Sequence, residues 1–183
     1  MSKKVLVPIA DGIEEMEAVI LIDVLRRAGA AVTVASVDGL EVTASRRVKL
    51  GAEVLIRECS ALVYDLIVLP GGLPGAEHLR DCPELIALLR QQRQAGRFFG
   101  AICASPAVVL QHHGLLDGYQ ATCYPGLISQ LAPHDRIENR VVVDRNCVTS
   151  RGPGTAFEYA LKLVELLYGP AKSAEIASQM LVI

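Results

Sequence analysis

Two hydrophobic periods alternate along this chain and divide it into strands and helices. Residues 4–10 hold a nearly continuous apolar run of strand length, the pattern of a strand covered on both faces. Residues 14–28 space their apolar positions as an amphipathic helix does, and Gly29 ends the stripe. Residues 31–37 are β-branched and extended, so strand, helix and strand within 37 residues predict a βαβ unit. Asp38-Gly39 marks a turn, after which 41–44 and 49–56 read as short extended pieces in an antiparallel excursion. Residues 64–69 form an apolar strand that runs into Pro70-Gly71-Gly72, a loop at its carboxyl end.

The second half repeats the alternation. A helix is predicted over 83–95, with Pro83 in its first turn, Asp81 as its cap and Gly96 as its stop. Residues 98–102 read as a strand ending at Cys103, with a helix beginning at once and closing by Gly114 to Gly118. A short strand is expected over 120–123, and a hairpin over 139–144 and 147–150, turning at Arg145-Asn146. Gly152-Pro153-Gly154 precedes a long helix over 155–167, and 172–178 reads as a last short one. No repeat, low-complexity tract or linker interrupts the pattern, so residues 1–183 read as a single α/β domain, a parallel sheet with helices on both faces.

Composition narrows the classes. A chain of 183 residues buries about 70% of its unfolded surface without disulfides. Formal charge is -2 with acids and bases interspersed, which leaves no basic stripe for sequence-specific nucleic acid binding and no polybasic membrane patch. Small molecules or proteins are the expected partners. Five cysteines, at 59, 82, 103, 123 and 147, include no CxxC pair and no Cys/His cluster at metal-ligand spacing, so neither metal nor cofactor is expected. An odd, scattered set suits a reducing compartment. Lys3 and Lys4 precede only a short apolar run that Asp11, Glu14, Glu15 and Glu17 soon follow, unlike a signal peptide, and the expected location is cytoplasmic.

Cys103 is the candidate nucleophile. On a tight strand-to-helix turn its side chain is lifted out of the sheet, where free helix N–H groups favour thiolate and a pKa below that of a free cysteine. The competing reading is a small buried hydrophobe. In open α/β sheets ligands sit outside the carboxyl ends of the strands. Residues 11–17, Gly71-Gly72, Cys103-Ala104 and the segment from Arg151 through Gly152 and Pro153 to Gly154 all occupy such ends, and they are expected to meet around one pocket. The N–H groups of Gly71, Gly72 and Ala104 would then face an oxyanion, although a Pro-Gly-Gly is also an ordinary turn. Three acids open the first helix, where its dipole alone would explain them. Glu17 differs: it shares a face with Ile13 and Leu21 and would point inward, where desolvation holds a carboxyl protonated. Cys123 precedes the Tyr124-Pro125 segment expected to border the pocket, which makes it a candidate secondary redox site.

The segments at 11–17, 69–72, 101–104 and 149–155 together resemble the signature segments of the ThiJ/PfpI superfamily, most of all the subgroup containing the bacterial protein YajL and the human parkinsonism-associated deglycase. The resemblance runs in order along nearly the whole chain. It implies a flavodoxin-like fold, Cys103 as nucleophile and redox-sensitive cysteine, Glu17 as its carboxyl partner, and Gly72 and Ala104 as oxyanion-binding donors. It also implies a homodimer, with Arg27, Arg46 and Arg151 near the pocket or the dimer contact. Three departures limit the chemistry. Tyr124 stands where the human protein has histidine, Ala104 follows the nucleophile where protease-like branches have histidine, and no late histidine is followed by glutamate two positions on, as a glutaminase triad needs.

The resemblance implies a cysteine-dependent protein or nucleotide deglycase, or a glutathione-independent glyoxalase, acting on methylglyoxal, glyoxal and their adducts in carbonyl and oxidative stress. The alternative is a redox sensor or chaperone switched by oxidation of Cys103 without turnover. A dimeric α/β protein with a vestigial pocket is the third reading.

Overall fold

The computed structural model describes residues 2–182. Nine strands and five α-helices follow one another among them: β1 (Lys4–Ile9), α1 (Glu15–Arg27), β2 (Ala31–Ser36), β3 (Glu41–Thr43), β4 (Lys49–Gly51), β5 (Val54–Leu55), β6 (Leu66–Leu69), α2 (Gly75–Arg80), α3 (Pro83–Gln94), β7 (Phe98–Ile102), β8 (Val141–Asp144), β9 (Cys147–Ser150), α4 (Ala156–Tyr168) and α5 (Pro170–Gln179). Seven strands form the main sheet in the order β5-β2-β1-β6-β7-β9-β8, parallel except for β8, which pairs antiparallel with β9. β3 and β4 make a separate antiparallel hairpin.

The interior strands are apolar on both faces because helices cover both. Leu6, Ile9, Ile67, Leu69 and Phe99 are fully buried among Leu21 and Leu25 of α1, Leu85 of α3 and Tyr159 of α4. α1 and α4 pack on each other and on the sheet, while α3 lies on β6 and β7. This is the expected flavodoxin-like sandwich.

Strand order places the site. The chain leaves β1 outward to β2 and β5, then returns to lay β6 on the other side of β1 and continues to β7. The order therefore reverses between β1 and β6, the point at which connections diverge to leave a crevice at the strands' carboxyl ends.

Three expectations are corrected. Residues 120–123 form no strand, because β8 already occupies the outer edge of β9; side chains tie the segment down instead, with the Thr122 amide donating to Thr149 Oγ1 at 2.9 Å. Asp81 does not cap α3. It ends α2, a helix hidden in the sequence behind Pro74-Gly75, and its carboxylate is held by Arg80, while Cys82 takes the N-cap of α3. The extended piece expected over 49–56 divides into β4 of the hairpin and β5, which joins the main sheet beside β2.

Candidate active site

A cleft of about 560 Å³ opens at the switch point, lined by Glu14, Ser45, Arg46, Gly72, Leu73, Cys103, Ala104, Tyr124, Gly126, Leu127 and Pro153. Cys103 follows β7 directly and takes φ +64°, the left-handed region that costs an ordinary residue about 1–2 kcal/mol. Its surroundings hold it there. Its amide donates to the Ser150 carbonyl at 3.0 Å, its carbonyl accepts from the Tyr124 amide at 2.7 Å, and the buried Ser105 hydroxyl beside it donates to the Pro70 carbonyl. The sulfur is thereby lifted off the sheet into the cleft, half-buried, whereas the other four cysteines are buried.

The Pro-Gly-Gly turn is needed for close approach as well as for reversal. A Cβ on Gly71 would stand 2.6 Å from Cys103 Cβ, and one on Gly72, at φ +91°, would stand 2.3 Å from the Glu14 amide nitrogen. The backbone thus reaches Cys103 without a side chain between. The N–H groups of Gly72 and Ala104 are directed at the Cys103 sulfur and favour its thiolate. Gly71, expected to share that task, is committed elsewhere: its amide donates to Glu17 Oε2 at 2.7 Å.

Glu17 is fully buried beneath the thiol, on the inward face of α1 that its spacing predicted. Burial pushes its carboxyl up to about 7, against the Gly71 and Cys103 hydrogen bonds that favour the anion. Burial, and then the charge of an ionised Glu17, push the Cys103 thiol up to about 12. The low thiol pKa expected from the helix end is therefore corrected: burial first, and then the Glu17 charge, outweigh the Gly72 and Ala104 amides. The two groups titrate as a pair, and between these values they share one proton. By these values it rests on the Cys103 sulfur, with Glu17 as the anion. Glu17 Oε1 is buried with no hydrogen-bond partner at rest, a costly condition for a carboxylate oxygen. Passing that proton from the thiol to Oε1 makes the atom a donor and removes the charge opposing the thiolate, leaving the Gly72 and Ala104 amides to hold the sulfur anion.

The basic groups divide. Arg46 reaches the cleft because the Glu15 carboxylate accepts from the Arg46 amide at 2.8 Å and the Ser45 hydroxyl at 2.9 Å, fastening the β3–β4 hairpin over the start of α1. Arg27 does not reach it; this exposed side chain pairs with Asp23 at 2.6 Å in the last turn of α1. Arg151 and Gly152 lie in an adjoining cleft of about 280 Å³ that shares Tyr124 and Pro153 with the first. Cys123 is sealed in the core, and burial pushes its thiol up to about 11 although the Arg151 charge pulls the other way. That disfavours it as a redox site. Ser45, Leu73, Gly126 and Leu127 line the cleft without having been singled out in the sequence, which carries no local signal for them.

The DJ-1/PfpI family model matches residues 3–166. The DJ-1 homolog B of Arabidopsis thaliana is 53% identical over 180 residues, 98% of this chain, although the chain spans only 41% of that relative's length. A Caenorhabditis elegans protein named glutathione-independent glyoxalase DJR-1.2 is 35% identical, covering 94% of this chain and 91% of its own. The solved structure of oxidised DJ-1 of Toxoplasma gondii superposes with a TM-score of 0.96 at 50% identity, over 98% of both chains.

Proposed function

This chain belongs to the DJ-1/PfpI family, and from that premise we propose that it is a cysteine-dependent enzyme acting on reactive dicarbonyls such as methylglyoxal and glyoxal, free or as adducts on proteins and nucleotides. The observation that carries the reading is the pair: a Cys103 held at positive φ with two amides on its sulfur, over a buried Glu17 that holds a proton near neutrality. The thiolate attacks the aldehyde carbon, forming a C–S bond, and the Gly72 and Ala104 amides then hold the oxyanion. Glu17 moves a proton from the former aldehyde carbon to the ketone carbon, so that the first is oxidised to a thioester and the second reduced to an alcohol. Water cleaves the thioester, releasing lactate from methylglyoxal and restoring the thiol. On an adduct of a protein amine or thiol the same attack releases the modified group, the deglycase activity.

Lactate formation from methylglyoxal without glutathione is expected from the wild type and lost in Cys103→Ala; equal rates in the two would remove the enzyme. The second reading, a redox sensor, draws on the same site, since the amides that hold an oxyanion also hold sulfinate oxygens. The oxidised state of the Toxoplasma gondii relative favours keeping it.

We further propose a cytoplasmic homodimer. Free cysteines support the reducing setting, and among the described residues no helix is long and apolar enough to cross a membrane. Met16 and Val19 of α1 are exposed, with Ile20 half-buried beside them, and Val48 is exposed on the neighbouring hairpin. An apolar strip of this kind is covered by a second copy in a twofold assembly. Val24 of the same helix belongs to the core. Sedimentation at micromolar concentration is expected to give twice the 19.6 kDa chain mass, and Val19→Asp to halve it; a wild type sedimenting as a monomer would end the proposal.

A further inference from the structure

Tyr124 stands where two clefts meet. The cleft that holds Cys103 and the smaller one over Arg140, Arg151 and Thr155 have Tyr124 and Pro153 in common. The ring's two edges face different ways. A Cβ on Gly126, which lines the Cys103 cleft, would lie 3.5 Å from Tyr124 Cε1. A Cβ on Gly152, which lines the second cleft, would lie 3.8 Å from Tyr124 Cδ2. The ring thus lies within van der Waals reach of a glycine of each cleft and fills the gap between them.

The partition is tied to the nucleophile through the backbone. The Tyr124 amide donates to the Cys103 carbonyl at 2.7 Å, and the Tyr124 carbonyl accepts from the Leu127 amide at 2.8 Å. Pro125 follows and restricts the backbone of Tyr124 to the extended region it occupies. The side chain itself is half exposed, so trimming it opens no hole in the core.

We propose that Tyr124 is the specificity-determining residue of this site: its ring shuts the second cleft off from Cys103 and selects dicarbonyl groups with a small aliphatic substituent, free or in an adduct, over those with an aryl one. Removing the ring joins the two spaces and admits an aryl group beside the sulfur. This deepens the dicarbonyl reading and rests on it for turnover alone; the steric claim about Cys103 is independent of it.

Alkylation tests the wall without turnover. Iodoacetamide and iodoacetanilide both lose iodide to the attacking thiolate and differ by one phenyl group. Tyr124→Ala is expected to raise the ratio of Cys103 alkylation rates, iodoacetanilide over iodoacetamide, by about ten-fold or more, the scale on which pocket size discriminates apolar groups. Tyr124→Leu, which lowers the wall without emptying it, should raise the ratio less, and Tyr124→Phe should keep the wild-type ratio. The kcat/KM ratio of phenylglyoxal over methylglyoxal should move in the same order across the series. An alkylation ratio unchanged in both Tyr124→Ala and Tyr124→Leu overturns the proposal, as does a rise in Tyr124→Phe equal to that in Tyr124→Ala, which would assign the effect to the hydroxyl. A wild type that turns over neither dicarbonyl ends the enzyme reading, and the alkylation series still decides the role of Tyr124.

Discussion

Glu17→Gln is expected to lower conversion of methylglyoxal to lactate by about 10²-fold or more while Cys103 still oxidises to sulfinate under mild peroxide. Glutamine preserves the shape of the buried side chain. Its carbonyl oxygen still accepts from the Gly71 amide, as Oε2 does at 2.7 Å, and its amide nitrogen still offers a donor toward the sulfur. What it loses is an exchangeable proton. Rearrangement of the adduct needs a group that takes a proton from one carbon and returns it to the next, and a carboxyl pushed up to about 7 is poised to do both at neutral pH. Sulfinate formation needs only a thiolate, peroxide as the oxidant and donors for the product oxygens, all of which survive the change. Lactate and sulfinate yields should therefore separate in this variant. Turnover undiminished in Glu17→Gln would remove Glu17 from the proton transfer, and sulfinate lost together with turnover would mean that the substitution had disturbed the nucleophile itself.

The same substitution is expected to stabilise the fold, and only above acidic pH. In the unfolded chain Glu17 titrates at its ordinary 4.5, whereas burial raises it to about 7 in the folded protein. Between those values the native state holds the extra proton, so stability falls as pH rises. The penalty is absent below pH 4.5 and complete above 7, where the shift is worth about 3 kcal/mol. The glutamine side chain has no charge to desolvate. Chemical denaturation should thus find Glu17→Gln more stable than wild type by about 3 kcal/mol at pH 8 and no more stable at pH 4.5. A gain independent of pH would show that the carboxyl is not the source. Loss of turnover with gain of stability is the expected mark of a buried group kept for its chemistry.

Much of this was legible before any tertiary structure. The strand and helix periods of the first 37 residues are local properties of the chain, and β1, α1 and β2 follow them closely. Cys103 at a strand-to-helix junction and Glu17 on the inward face of its helix could be named from spacing alone, because both depend on which way a side chain leaves a regular element. The signals failed where a neighbour decides the outcome. Residues 120–123 have strand composition but find no free edge, and α2 forms behind residues that ordinarily break helices.

The site itself divides in the same way. The amino-acid sequence by itself determined the α/β class, the helix and strand order, and the placing of four motifs at strand ends, since hydrophobic period and turn chemistry act over a few residues at a time. Only the tertiary structure decided that Gly71 serves Glu17 and not an oxyanion, that Arg46 enters the cleft while Arg27 does not, and that Tyr124 separates two spaces. These depend on the reversal of strand order between β1 and β6, which brings residues more than fifty positions apart within hydrogen-bonding distance. The protonation of Glu17 and Cys103 follows from the same convergence, because desolvation and one shared proton act between groups that only folding sets side by side.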